Sequence, residues 1–136
     1  MKRFALALLL IGCEKPAEAP PLAFQELGAF EYKDKMKLPA EVARWNGKLV
    51  TATGFMNPTS QARHLTSFLL VKDRASCCFG KRPQINHYIE VKLKPGATAD
   101  YSPDPVAVRG VINVEDRWDG DWQLGLYWMD GAEVVK

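Results

Sequence analysis

The short hydrophobic period of the chain from Lys48 onward is the feature that most constrains its fold. Apolar residues recur at every second position in short runs, and turn-forming residues separate these runs. Ile89, Val91 and Leu93, for example, fall on one face of such a run. A period of two is that of a β-strand with one buried face. The pattern predicts five strands, at 48–56, 66–71, 87–93, 106–114 and 122–129, with 132–136 as an extension of the last.

One short helix is predicted ahead of the strands, at residues 39–45, where Val42 and Trp45 share a face and Asn46-Gly47 provides a stop. The continuous apolar run at 66–71 indicates a strand buried on both faces. Gly110 predicts a bend or a bulge, and turns are expected at 119–120 and 130–131. Together these features predict a mainly β fold: a small five-stranded OB-like barrel, or a compact sandwich. We favour the barrel because closure leaves no free strand edge.

The amino-terminal residues predict export and lipid anchoring. Two basic residues precede an apolar stretch, 4–12, which is far shorter than the ~20 residues of a membrane-spanning helix and suits a signal peptide. The tetrapeptide LIGC at 10–13 resembles the lipobox of bacterial lipoproteins. That resemblance implies cleavage before Cys13 and attachment of fatty acids such as palmitate to it. An ordinary buried cysteine after an apolar helix is the alternative reading.

These features divide the chain into a signal peptide (1–12), a lipid-anchored tether and arm (13–37) and a single β-rich domain (38–136). The chain has 18 Lys and Arg against 16 Asp and Glu. Loss of Lys2 and Arg3 with the signal peptide would make the two classes equal in number. Nucleic-acid-binding proteins usually carry a clustered basic excess, so nucleic acid is not an expected partner. The expected location is the periplasmic side of the cell envelope.

Cys77 and Cys78 are adjacent, in a segment whose glycine and proline indicate a loop. A disulfide between neighbours would strain the peptide, because their Cα atoms lie about 3.8 Å apart and disulfides usually span about 4.4–6.8 Å. An exported location nevertheless favours oxidation. Zinc or copper could bind the thiolates together with His64 or His87, although no metal-binding spacing is present. Two ordinary buried thiols are the third possibility.

The remaining chemistry-bearing residues favour a non-enzymatic role. The chain has no G-x-S-x-G, P-loop or H-E-x-x-H motif. Its carboxylates near turns, such as Asp116, are interpreted as acidic turn residues. Trp118, Trp122 and Trp128 could form a stacking platform of the kind that OB folds use, although core and rim packing is the commoner role of such aromatics.

Four segments share the pattern of one family: WNGKLV at 45–50, GFMNP at 54–58, FLLV at 68–71, and a loop in which Cys77 precedes Phe79, Gly80, Pro83 and Asn86. This pattern resembles an uncharacterised family of bacterial periplasmic lipoproteins, known as a domain of unknown function. The resemblance implies an accessory role beside envelope transport systems such as ABC-type permeases. Many members have Cys-Ile-His in the loop. This chain has Cys-Cys-Phe there, which weakens an implied metal site.

We therefore expect a lipid-anchored periplasmic domain that binds a small ligand or a partner, with an envelope transporter component as the implied partner. One alternative is a metal- or thiol-handling protein that uses Cys77 and Cys78. The other is an OB-type binder of oligosaccharide or oligonucleotide.

Intact mass and metal content of the purified mature protein should separate the three uses of the cysteine pair. We expect a disulfide, so the native protein should be about two mass units lighter than its reduced form, and a mild reductant should open the strained ring. Near-stoichiometric zinc or copper that leaves on acidification would instead indicate a metal site, and His87→Ala should then weaken binding. Neither a mass difference nor a metal would indicate two packed thiols.

Overall fold

A computed structural model describes residues 19–74 and 83–135 of the chain. Cys13, Cys77, Cys78, Phe79 and Gly80 lie outside these ranges, so the predictions made for them stay predictions. The elements, in chain order, are β1 (Pro21–Leu22), α1 (Phe24–Leu27), α2 (Ala40–Ala43), β2 (Lys48–Met56), β3 (Ser67–Val71), a 3₁₀ turn (Ile85–His87), β4 (Tyr88–Leu93), β5 (Val106–Asp119) and β6 (Trp122–Val135). No helix in these ranges is long and apolar enough to cross a membrane.

Five of the strands form a closed ring of pairings. β2 pairs with β3, β3 with β4, β6 with β5, and β5 with β2, all antiparallel, whereas β4 and β6 are parallel. β1 adds to β2 in parallel. The prediction of a mainly β fold is confirmed. A sandwich would need two separate sheets, whereas these strands form one sheet whose last strand, β5, pairs with β2.

The core follows the alternation of the strands. Ile89, Val91 and Leu93 of β4 are buried as predicted, and so are Val108 and Ile112 of β5. The prediction that the strand at 66–71 is buried on both faces is wrong at Leu69, which is half-buried. One face of β3 is therefore partly open to solvent, and this opening forms part of the groove described below.

Glycines lie at some of the irregular positions of the β5–β6 hairpin. A bulge is present opposite Gly110, but the extra residue belongs to β6, because Arg109 pairs with Glu133 whereas Val111 pairs with Asp130. A Cβ at Gly110 would lie 3.1 Å from that of Ala132. The turn predicted at 119–120 is also present, whereas the one at 130–131 is wrong. Gly131, with φ +63°, lies inside β6, because its positive φ lets the strand absorb an extra residue and continue.

The hairpin extends past the end of β2. The pairing of β5 with β2 ends where Ile112 lies opposite Lys48, and β5 continues to Asp119 paired with β6. Likewise, the pairing of β6 with β4 begins at Trp128, opposite Glu90. The tip of the hairpin therefore projects from the end of the ring at which β2 begins.

The arm predicted ahead of the helix packs on the ring. Phe24 and Leu27 of α1 are buried in the common core. The buried hydroxyl of Tyr127 donates a 2.8 Å hydrogen bond to the carbonyl of Leu27, and burial raises the pKa of this phenol. The hydroxyl therefore stays protonated, and it joins α1 to the centre of β6.

Val108→Asp should abolish or severely reduce folding, because Val108 is fully buried in the ring and the new carboxylate would have no partner there. Lys92→Asp is the control: Lys92 is exposed on β4, and the change should alter the free energy of unfolding by less than about 0.5 kcal/mol. Thermal and urea unfolding would measure both variants. Equal effects would contradict the assignment of inward and outward faces.

Candidate functional site

A groove of about 960 Å³ crosses the outer faces of β3, β4 and β6. It is open along the surface, and both polar and apolar side chains line it. Leu69, Glu90, Lys92, Trp128 and Asp130 come from the three strands. Thr59 and Thr66, from the connection between β2 and β3, and residues 94–97, which follow β4, complete the lining.

Arg117 lies at one side of this groove in a fixed position. Its guanidinium carbon is 3.8 Å from the centroid of the Trp128 ring, and its Nη2 donates to a carboxylate oxygen of Glu90. The stacking is a cation–π contact, and the half-buried ion pair is less screened by solvent than an exposed one. The Nε of Arg117 is buried and has no hydrogen-bond acceptor among the described residues.

Gly125 makes room for this arrangement. Its φ is +148°, and a Cβ at this position would lie 2.9 Å from Nη2 of Arg117 and 3.0 Å from Oε2 of Glu90. Any side chain at residue 125 would therefore displace one member of the ion pair. The glycine is required both by the backbone conformation and by the close approach of the two charged groups.

The charges along the groove are of both signs. Glu90 is paired with Arg117, and Lys94 donates a 3.0 Å hydrogen bond to Glu133. Lys92 and Asp130 add one exposed charge of each sign. A lining of this kind presents both donors and acceptors, and it lacks the continuous positive potential that a polyanion requires.

A second polar cluster joins the arm to the hairpin close to its tip, and we call it the Asp116 clamp. Asp116 accepts hydrogen bonds from the hydroxyl of Tyr32 at 2.7 Å, the indole N–H of Trp118 at 2.8 Å and Nε2 of Gln123 at 3.1 Å. Burial, together with the hydrogen bond to Asp116, raises the pKa of Tyr32 to about 12. The phenol therefore remains a donor at neutral pH.

A family model described as "Protein of unknown function (DUF3299)" matches residues 18–136. The chain belongs to the DUF3299 family. The prediction of a domain of unknown function is thereby confirmed. None of the curated proteins compared with the chain matches it significantly.

The fold of the DUF3299 chain is similar to a crystal structure of a DUF3299 family protein from Pseudomonas aeruginosa PAO1. The TM-score is 0.57 at 21% sequence identity, and the match covers 87% of this chain and 96% of that chain. At this identity the likeness supports the fold and carries no residue roles.

The three predicted tryptophans occupy three different environments in the DUF3299 chain. Trp118 belongs to the Asp116 clamp, and Trp128 lies under Arg117 in the groove. Trp122, at the tip of the hairpin, is 73% exposed. Arg117 thus already stacks on one face of the Trp128 ring, and Trp118 is held in its own polar contacts.

The two histidines lie at opposite ends of β4. His87 closes the 3₁₀ turn that precedes the strand, and His64 lies beyond the other end, in the connection between β2 and β3. Burial, with a smaller contribution from Lys72, lowers the pKa of His87, which favours the neutral ring that a metal would need. His64 is exposed. The two imidazoles therefore do not lie together at one site.

The described part of the family loop is built around Asn86, which is 1% exposed. Its Nδ2 donates a 2.8 Å hydrogen bond to the carbonyl of Phe30. Its Oδ1 is buried without a partner among the residues described. Asn86 thus attaches the arm to the start of β4, while Pro83, half-buried, begins this segment. No group of three or more His, Cys, Asp or Glu side chains that could hold a metal occurs within 19–74 and 83–135.

The sequence analysis missed Arg117 and Glu90, because the two residues are far apart in the chain and neither belongs to a motif. The one local signal was Gly125, a glycine inside a predicted strand, which often marks a close approach of another group. Asp116 was interpreted as an acidic turn residue. In the structure it accepts three hydrogen bonds, one of them from the distant Tyr32.

Gly125→Ala should destabilise the protein more than Gly96→Ala. Both glycines have a positive φ, but a Cβ at Gly96 would meet nothing within 4 Å. We expect Gly96→Ala to cost about 1 kcal/mol in backbone strain. Gly125→Ala should cost at least about 2 kcal/mol, because it also displaces Arg117 or Glu90. Urea unfolding measures both, and equal costs would show that the ion pair moves aside freely.

Proposed function

We propose that this DUF3299 chain is a non-enzymatic, lipid-anchored binding domain of the cell envelope, and that it holds an oligosaccharide in the groove across β3, β4 and β6. The observation that carries the proposal is the groove itself. Its lining contains an indole and a guanidinium that stack on each other. It also contains hydroxyl, carboxylate and ammonium groups. A concave, preformed surface with a few oriented polar groups is the usual form of a ligand site.

The position of the groove supports a binding role. β3 and β4 are the second and third strands of the five-stranded ring, and the outer face of these two strands is where OB-type folds take oligosaccharides and oligonucleotides. The connection between β2 and β3 contributes Thr59 and Thr66 to the lining, as the corresponding loop does in those folds. This likeness supports the location, while the ligand class is argued from the side chains.

The lining favours a sugar over a nucleic acid. Thr59, Thr66 and Ser67 supply hydroxyl groups that can donate and accept, which suits the hydroxyls of a sugar. Glu90 and Asp130 lie among the cations of the lining, so the groove has no continuous run of positive charge for phosphates. An uncharged glycan chain does not depend on a basic excess, so the balanced charge of the mature chain is compatible with it.

The groove residues also support binding without catalysis. The carboxylate of Glu90 is engaged by Arg117, and the side chain of Asp130 is exposed on β6. Among the described residues that line the groove, no serine or threonine is paired with a histidine in the manner of an activated nucleophile. The residues present can orient a ligand through hydrogen bonds and stacking.

Titration with soluble oligosaccharides should show binding that depends on the groove. The probes are two uncharged tetrasaccharides, chitotetraose and maltotetraose, and calorimetry measures their binding. Arg117→Ala should weaken binding of a recognised probe about tenfold or more, corresponding to about 1.4 kcal/mol, because Arg117 fixes Trp128 and Glu90. The matched control is Arg44→Ala. Arg44 also stacks on a tryptophan, 4.8 Å from the Trp45 ring, and pairs with Glu26, but it lies outside the groove.

Equal weakening by the two arginine variants would contradict the assignment of the groove. Failure of every glycan to bind would contradict the ligand class.

The lipid anchor is tested separately. Cys13→Ser should leave an uncleaved or soluble precursor, because no thiol remains to be acylated, and cell fractionation detects the difference. A Ser variant that is processed and membrane-bound like the wild type would contradict the lipid anchor.

A further inference from the structure

The tip of the β5–β6 hairpin presents apolar side chains to solvent. Trp122 is 73% exposed, and Leu124, two residues further along β6, is 46% exposed. Trp122 faces Asp119 across the turn that Gly120 forms with a φ of +60°. Large apolar side chains clustered at a projecting tip are a common feature of surfaces that contact another molecule or a membrane.

The tip is held stiffly. The Asp116 clamp ties both strands of the hairpin to the arm, because Trp118 belongs to β5, Gln123 to β6 and Tyr32 to the arm. In addition, Nζ of Lys35 lies 5.0 Å from the centroid of the Trp118 ring. These contacts hold the strands next to Trp122 in a defined position.

The chain ahead of β1 leaves the domain at the same end as this tip. β1 runs parallel to β2, with Pro21 opposite Thr51. Thr51 hydrogen-bonds the carbonyls of Pro20 and Ala19, through its N–H at 3.0 Å and its hydroxyl at 3.2 Å. The residues before β1 thus run toward the end at which β2 begins. The hairpin projects from that same end of the ring.

The tether is short. Residues 14–18 lie between Cys13 and Ala19, and even a fully extended chain would span at most about 22 Å over this interval. If Cys13 is acylated, as the proposed function holds, the domain is confined near the bilayer with its tether end toward the lipid. The hairpin tip, which shares that end, is then the part of the domain best placed to reach the surface.

We infer that Trp122 and Leu124 at the hairpin tip contact the lipid bilayer that anchors Cys13, so that the membrane is the partner of this surface. Tryptophan favours the boundary between headgroups and acyl chains, because its ring is apolar and its N–H needs a polar partner. This inference rests on the lipid anchor of the proposed function. The contact orients the domain with the hairpin tip toward the membrane.

The charges at the tip select the headgroup. Asp119 and Asp121 flank the turn, and Asp121 is 4.0 Å from Nζ of Lys35. The carboxylate of Asp119 would be repelled by an anionic membrane surface. The tip therefore prefers zwitterionic headgroups such as phosphatidylcholine or phosphatidylethanolamine, and added anionic lipid should weaken the contact.

Fluorescence quenching by brominated lipid tests the contact. The mature chain, with a hexahistidine tag in place of the acylated Cys13, is attached to phosphatidylcholine vesicles through a nickel-chelating lipid. Identical vesicles without bromine on the acyl chains provide the reference. Wild-type fluorescence should be quenched by the brominated lipid, and Trp122→Ser should lose most of this quenching. Trp45→Phe, which removes a tryptophan that hydrogen-bonds Glu26 elsewhere on the domain, should keep it.

An unquenched wild type, or equal quenching of the wild type and Trp122→Ser, would overturn the inference. Quenching that does not fall when phosphatidylglycerol replaces part of the phosphatidylcholine would overturn the headgroup preference. A photo-reactive residue at position 122 that crosslinks in cells to a protein instead of lipid would show that a protein is the partner, and would also overturn the inference. The natural anchor is judged separately, by the intact mass of protein extracted from cell membranes.

Discussion

The parallel pairing of β4 with β6 is the contact on which the rest of the structure depends. It closes the ring, because the other four strand pairs would leave an open sheet. Its register also places Glu90 directly opposite Trp128. Arg117 can then stack on Trp128 and pair with Glu90 at the same time. The groove and the closure of the ring thus follow from the same contact.

Glycines adapt the long hairpin to this closure. A regular hairpin with two strands of fourteen residues each would twist out of register with the shorter strands of the ring. Gly131 takes a positive φ at the extra residue of β6, opposite Gly110, and β5 and β6 stay paired on both sides of this bulge. Gly125 has a different role, because its lack of a side chain leaves room for Arg117 and Glu90 above β6. A glycine inside a strand weakens that strand in general. Here Gly110 and Gly125 each allow the close approach of another group, whereas Gly131 supplies a positive φ.

The two proposed surfaces lie on different parts of the domain. The groove occupies the outer faces of β3, β4 and β6, whereas the apolar tip extends past the end of the ring at which β2 begins. Contact of the tip with lipid would leave the outer faces of these three strands accessible to solvent. Membrane attachment and ligand binding could therefore occur together in one small domain, because neither requires the residues of the other.

The sequence by itself determined most of each long strand, the inward residues and the turn at 119–120, because these depend on local alternation and on glycine. Ile89 and Val108 could be placed in the core from their neighbours alone. The same reasoning failed at Gly131, because a local pattern does not show whether a glycine forms a turn or a bulge. It also failed at Leu69, because the exposure of this side chain depends on which other residues cover β3. Only the tertiary structure decided the groove and the Asp116 clamp. Arg117 meets Glu90, and Asp116 meets Tyr32, through the register of strands distant in the chain, and no local periodicity encodes which strands become neighbours.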